Sequence, residues 1–346
     1  MMNSIEENQI INSLVKNFKR SPLQINQLHS SDSELIRLDT SESSILTITT
    51  DSIVEEIKLG LYDDPYLIGW MIVMVNLSDL AAVGADPLGI LISEIFPNNL
   101  DDTFKNKLQK GISDACNTSG TYVLGGDTNF GDQLILNGTA VGILHSGNII
   151  SRIGCKPDDI LYTSGEIGSG NALALTKLVY KSEQDYKYKP MARLQEGKLI
   201  RKYASACMDT SDGVISTLDQ LMRLNNFGFS FNDNWSTSLE TNSKILFEKY
   251  NLPLWLLLAG QHGEFELLFT IPKPNEIDFL KSASDINWTP IIIGKVTKEC
   301  QITIPMYGQY IVVDSREIRN LANITDLNIS KYLQSLLEID KSYRQN

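Results

Sequence analysis

The sequence predicts an α/β (α+β) protein of two domains. Its 346 residues exceed the size at which one hydrophobic core usually divides. The first half alternates β-rich runs with helix-like runs. Near residues 147–156 that alternation breaks, and a fresh strand begins at Asp158-Asp159-Ile160-Leu161. We therefore expect domains over 1–148 and 149–325, followed by a tail over 326–346.

Residues 4–19 carry apolar side chains at helical intervals and predict an amphipathic helix, closed by Ser21-Pro22. Residues 45–51 alternate apolar residues with threonine, a strand pattern that delivers Asp51 at its end, with Thr49 and Thr50 beside it. The run from Leu67 to Val75 is almost wholly apolar and predicts a buried helix over 65–84; it is too short to span a bilayer, which takes about 20 residues. Into it fall Asn76, Ser78 and Asp79, the first and last on one helix face. A buried carboxylate needs a cation or several donors. From this stretch alone, a cap or satisfied core group reads as well as a ligand.

Residues 87–96 predict a buried strand and 101–118 a helix with an acidic first turn. A short strand at 122–124 is expected to end in a turn, Gly125-Gly126-Asp127-Thr128. Its glycines let the backbone approach a ligand, and its aspartate offers a carboxylate. A plain turn fits the same four residues. Another strand follows over 134–144, without the spacing of a dinucleotide-binding loop.

In the second half, Glu166-Ile167-Gly168-Ser169-Gly170 is a glycine-rich turn into a helix over 171–181, suited to an anion. Arg152 stands just before this domain's first strand, placed for a phosphate or simply for solvent. Residues 182–192 read as loop. Asp209, Ser211 and Asp212 crowd the start of a helix over 214–225, and two carboxylates in four residues exceed what capping needs. Residues 256–271 run through a Gly-Gln-His-Gly turn into a strand carrying Glu264 and Glu266 on one face. Strands are expected over 289–296 and 309–313, and the tail has helical character.

Net charge is −12, which argues against a nucleic-acid backbone or an anionic membrane as partner. ATP remains compatible if divalent cations bridge carboxylates and phosphates. Four scattered cysteines and a start lacking a basic n-region and apolar core suit a reduced, cytoplasmic chain. None of the three histidines pairs with a cysteine at zinc-ligand spacing.

The motifs NLSDLAAVGADP, GGDT, GCKPDDILYTSGEIG, MDTSDG and GEFELLFTIP occur in the order of a known family. From about residue 30 to 297 the chain resembles the thiamine-monophosphate kinases, within the aminoimidazole-ribonucleotide (AIR) synthetase superfamily. The resemblance implies an AIR-synthetase-like two-domain fold, mixed sheets packed with helices in each domain. It implies a homodimer pairing its N-terminal sheets. It also implies Mg2+ and ATP as cofactors, with a small phosphorylated acceptor. Magnesium ligation would fall on Asp32, Thr50, Asp51, Asp79, Asp127, Asp209 and Asp212, with Asp127 and Asp212 central to catalysis. Gly125, Gly126, Arg152 and Ser211 would meet ATP; Lys58 and Glu264 would face the acceptor.

Several positions depart from the family pattern. Ser30-Ser31-Asp32-Ser33-Glu34 keeps one of two expected aspartates, Lys58 replaces a histidine, and the motif at Glu264 is one acid short. On this reading the acceptor side is eroded and more positive, and thiamine monophosphate is handled poorly. Another ATP-using enzyme of the superfamily, or a nucleotide-binding protein without catalysis, is the competing expectation. The first cysteine, Cys116, lies too late for a selenophosphate synthetase, and the ending Ser-Tyr-Arg-Gln-Asn lacks the terminal cysteine of the hydrogenase maturation factor.

Overall fold

In the computed structural model of the chain, the described residues are 9, 12, 21–37, 44–145, 147–181, 186–324 and 328–345. Apart from residues 9 and 12, the helix expected over 4–19 lies outside them.

The first half builds a five-stranded sheet from β1 (Glu34–Arg37), β2 (Ile45–Ser52), β3 (Asp86–Pro97), β4 (Val123–Gly131) and β5 (Ile135–Leu144). Its order is β1-β2-β5-β3-β4. The β3–β4 pairing is parallel and the others are antiparallel, so the sheet is mixed. Along β3, Ile90, Ile92, Glu94 and Phe96 are buried, whereas Leu91 is exposed. That alternation puts the helices on one face and leaves the other open.

The helix Pro65–Ala82 fills the covered face. Asp64 caps it by accepting from the Leu67 N–H at 2.9 Å, and proline takes the first helical position. Fourteen of its 18 residues are buried, and an apolar helix buried nearly all round is a core element. Its length and composition would suit a membrane, but 78% of that span is packed inside the protein.

The second half forms a seven-stranded mixed sheet from β6 (Ile160–Thr163), β7 (Ala206–Asp209), β8 (Gly228–Phe231), β9 (Leu267–Ile271), β10 (Ile291–Thr297), β11 (Ile302–Met306) and β12 (Gln309–Val313). The order is β12-β11-β8-β10-β6-β9-β7, with β8–β11 its parallel pair. The tail helix Ile329–Gln345 buries Leu336, Ile339 and Tyr343. Asp340 anchors it, accepting from the Trp255 indole at 2.7 Å. Ile200, Cys207 and Phe269 of the second half share a buried cluster with Met71 and Ile72 of the first, so the two sheets meet along the central helix.

Three expectations are corrected. Gly125-Gly126-Asp127-Thr128 is no turn but the middle of β4, because pairing with β3 continues to Gly131. The helix expected over 171–181 is α-helical only over Ser169–Ala174 and then widens into a π-turn at Leu175–Val179. Glu264 and Glu266 precede β9 instead of lying in it; Phe265 between them takes φ 61°, which breaks the extended alternation.

Candidate active site

The site forms where the end of β2, the central helix and the end of β7 converge. Asn76 sets the register. Its Oδ1 accepts from the Asp51 N–H at 3.0 Å, and its Nδ2 donates to the Ile72 carbonyl at 2.9 Å. One helical turn later, Asp79 accepts from the Thr49 hydroxyl at 2.5 Å. Ser78, beside it, donates to Asp209 at 2.6 Å, and Ser211 donates to Asp209 at 3.0 Å. Asp32 reaches in from the segment before β1 and is held by Arg152, whose Nε and Nη2 lie at 3.2 and 2.9 Å.

One carboxylate oxygen from each of Asp32, Asp79 and Asp209 lies within 4.8 Å of the others. Burial pushes Asp209 up to about 7, with Asp32 adding to it against the Ser78 and Ser211 bonds and Arg152. Burial also raises Asp79 well above the carboxylate range, reinforced by Asp209, Asp32 and Asp51. Three acids crowded out of water, with one guanidinium among them, resist sharing negative charge. An all-oxygen set of this kind fits a hard divalent cation such as magnesium.

Asp51, Glu56, Ser211, Asp212 and His262 line an adjoining polar cleft. Desolvation among the cleft walls raises Asp51 to about 6 although the residue keeps solvent exposure, with Asp212 adding to it, and raises Glu56 to about 7. Burial lowers His262 to about 4.

The remaining expected residues stand differently. Thr50 points to the opposite sheet face from Thr49 and Asp51, donating to the Gly138 carbonyl at 2.7 Å. Asp127 pairs across the sheet with Ser93, then Asn137, then Ser52. That places it three strand spacings from Ser52, roughly 14 Å, on the open face. Its carboxylate accepts from Asn129 at 2.6 Å. The structure therefore does not bring Asp127 to the three clustered acids. Gly125 lies in the same exposed strand. At Gly126 a Cβ would come 1.9 Å from the Ile92 carbonyl oxygen, so packing between β3 and β4 demands the glycine.

Lys58 is exposed on the short helix Val54–Leu59. It is Glu56, about 200° round that helix from Lys58, that faces the cleft. Glu264 is buried and pushed up to about 8 by burial. It accepts from the Gly168 N–H at 2.7 Å and from Thr210 at 3.2 Å. The glycine-rich turn expected to take an anion thus holds the protein's own carboxylate.

The sequence assigns no role to Ser78, Glu56 or His262, and names Thr49 only as a hydroxyl beside Asp51. Thr49 was accessible from strand period alone, since it shares a face with Asp51. The partnership of Ser78 with a residue of the second half left no local signal.

The profile described as AIR synthase related protein, N-terminal domain, matches residues 30–144. The thiamine-monophosphate kinase of Methanocaldococcus jannaschii is 31% identical over 315 residues, covering 86% of this chain and 95% of its own. That of Buchnera aphidicola subsp. Schizaphis graminum is 32% identical over 280 residues, covering 78% and 84%. Among solved structures, AaThiL complexed with AMPPCP and TMP superposes with a TM-score of 0.72 at 23% identity, covering 90% and 97% of the two chains. The hydrogenase maturation protein HypE of E. coli gives 0.66 at 19%, covering 89% and 98%. These structural likenesses establish the fold.

Proposed function

Since the chain belongs to the thiamine-monophosphate kinase family of AIR synthase-related proteins, we propose that it is a magnesium-dependent phosphotransferase that moves the ATP γ-phosphoryl group onto thiamine monophosphate. The observation that carries this reading is the convergence of Asp32, Asp79 and Asp209 from three distant segments. When bound, magnesium would neutralise charge on the ATP phosphates. Phosphoryl transfer needs mainly positioning and charge neutralisation, so no side-chain nucleophile is required.

The chain's own residues have definable parts. Asp32, Asp79 and Asp209 would hold the metal. Thr49 and Ser78 orient two of those carboxylates, and Arg152 fixes the third while offsetting part of their charge. Asp51 and Asp212 extend the acidic lining toward the acceptor.

The cleft's charge favours thiamine monophosphate as acceptor. Its thiazolium ring is a cation, and Asp51, Glu56 and Asp212 supply carboxylates. The expected erosion rested partly on Lys58 repelling that cation, and an exposed Lys58 gives this little footing.

A homodimer formed through the open face of the first sheet belongs to the same reading. Leu88 and Leu91 are exposed there, at 45% and 42%. Asp127 stands on that face, so pairing would offer it to the partner instead of its own cluster. We also propose domains over 1–148 and 149–325, a division supported by one sheet falling within each range.

Incubation with ATP, magnesium and thiamine monophosphate, followed by mass spectrometry, tests the proposal. Thiamine diphosphate and ADP in equal amounts are expected. ATP binding without turnover of any phosphate acceptor would favour the nucleotide-binding reading.

A further inference from the structure

Residues 186–193 have no helix or strand until Leu194 begins the next helix, yet both halves of the protein hold them. On the first half they cross the central helix. The Trp70 indole donates to the Pro190 carbonyl at 2.7 Å, and the Lys189 ammonium lies 3.7 Å from the centre of the Trp70 ring. One turn on, Met74 Sδ accepts from the Ala192 N–H at 3.3 Å. On the second half, the Tyr186 hydroxyl donates to Glu240 at 2.9 Å, and Arg193 Nε donates to Glu266 at 2.8 Å. The segment is a strap across the junction of the two halves.

Tyr188 is where this strap meets the polar cleft. Its hydroxyl donates to the Gly263 carbonyl at 2.7 Å, and its ring stacks on Tyr62 with planes 17° apart. Gly263 and Tyr62 both line the cleft, and Tyr188 is buried behind them. From the other side, the Gly263 N–H donates to the Ser211 carbonyl at 2.9 Å. A Cβ on Gly263 would fall 1.4 Å from the Thr210 carbonyl oxygen, so the glycine is pressed against the segment that carries Asp209 and Asp212. Gly263 is thus held at its carbonyl by the strap and at its N–H by the acidic segment.

We propose that Tyr188 is a positioning residue for phosphoryl transfer: through Gly263 and Tyr62 it fixes the cleft wall in register with Asp212. It stands behind the wall, so its effect falls on alignment of the acceptor and not on nucleotide binding. A displacement of about 1 Å between reacting groups can cost about a hundredfold in rate. The inference rests on the phosphotransferase reading, which supplies the acceptor.

The test compares Tyr188→Phe with Tyr186→Phe. Each removes one tyrosine hydroxyl from the same strap, but Tyr186 bonds to Glu240 and Ser243, which do not line the cleft. Thiamine diphosphate formation, magnesium-ATP affinity and amide hydrogen exchange are measured on the full chain. Tyr188→Phe should lower kcat at least about tenfold and leave magnesium-ATP affinity within about twofold of wild type. Amide exchange at residues 261–263 should quicken in that variant. Tyr186→Phe should match the wild type in kcat, nucleotide affinity and exchange at those residues. Thermal melts check that both variants fold. An unchanged kcat in Tyr188→Phe, equal losses in the two variants, or a parallel loss of magnesium-ATP affinity overturns the proposal. So does exchange at residues 261–263 that is the same in Tyr188→Phe as in the wild type. If the wild type forms no thiamine diphosphate while exchange responds as expected, the phosphotransferase reading fails and the hold of Tyr188 on the cleft wall stands.

Discussion

The Ser78 hydroxyl donates to the Asp209 carboxylate at 2.6 Å across 131 positions of sequence. The bond joins the central helix of the first half to the end of β7 in the second, and both partners are buried. Ser78→Ala should therefore cost about 1–3 kcal/mol, the range for leaving a buried acceptor without its donor. Urea unfolding reads the loss. A change below about 0.5 kcal/mol would mean that the bond adds little to holding the halves together.

Arg152 makes a two-point contact with Asp32, whose side chain is 1% exposed. Removing the guanidinium leaves a buried carboxylate without its counter-charge, so Arg152→Met should cost about 3 kcal/mol or more. The pair Arg152→Met with Asp32→Asn should recover much of that. Additive losses in the double variant would argue that the two side chains act independently.

The raised carboxyls give the metal-free protein a definite pH dependence. Asp51 lies at about 6, Glu56 and Asp209 at about 7, and Glu264 at about 8. Unfolded carboxyls titrate near ~4. Between those limits the folded state binds more protons than the unfolded one, so unfolding free energy falls as pH rises. His262, lowered to about 4, acts in the opposite direction below the unfolded histidine value, but it is one group against several. The melting temperature without metal should drop steadily from pH 5.5 to 8, and magnesium should shrink the drop. A flat or rising profile would count against the buried carboxylate cluster.

Gly126→Ala tests the assignment of the glycine pair to a strand. Its Cβ would meet the Ile92 carbonyl oxygen at 1.9 Å, and overpacking of this kind costs about 1–3 kcal/mol. Gly125→Ala, where the nearest atom is a leucine methyl at 3.6 Å, should be far milder. Equal tolerance of both changes in a melting experiment would point to a loop.

What was legible in the sequence was local. The apolar run before Asn76 identified the central helix, and period-2 threonines identified β2, because each element's burial is written in its own spacing. The strand through Gly125 and Gly126 has no local signal, since only pairing with β3 keeps two glycines extended. The sequence places Glu264 and Glu266 on one strand face, because the left-handed Phe265 between them leaves no compositional trace. The aspartates could be named as ligands by type and neighbourhood. Their partners could not: Arg152 lies 120 positions from Asp32, and the roles of Thr49 and Thr50 depended on which sheet face the central helix covers.

Calorimetric titration of ATP into the wild type and Asp79→Asn, with and without magnesium, tests the central claim most directly. The account predicts magnesium-dependent binding in the wild type, weakened at least about tenfold in Asp79→Asn although that variant melts no lower without metal. ATP binding that ignores magnesium, or is equal in the two proteins at every magnesium concentration, would contradict it.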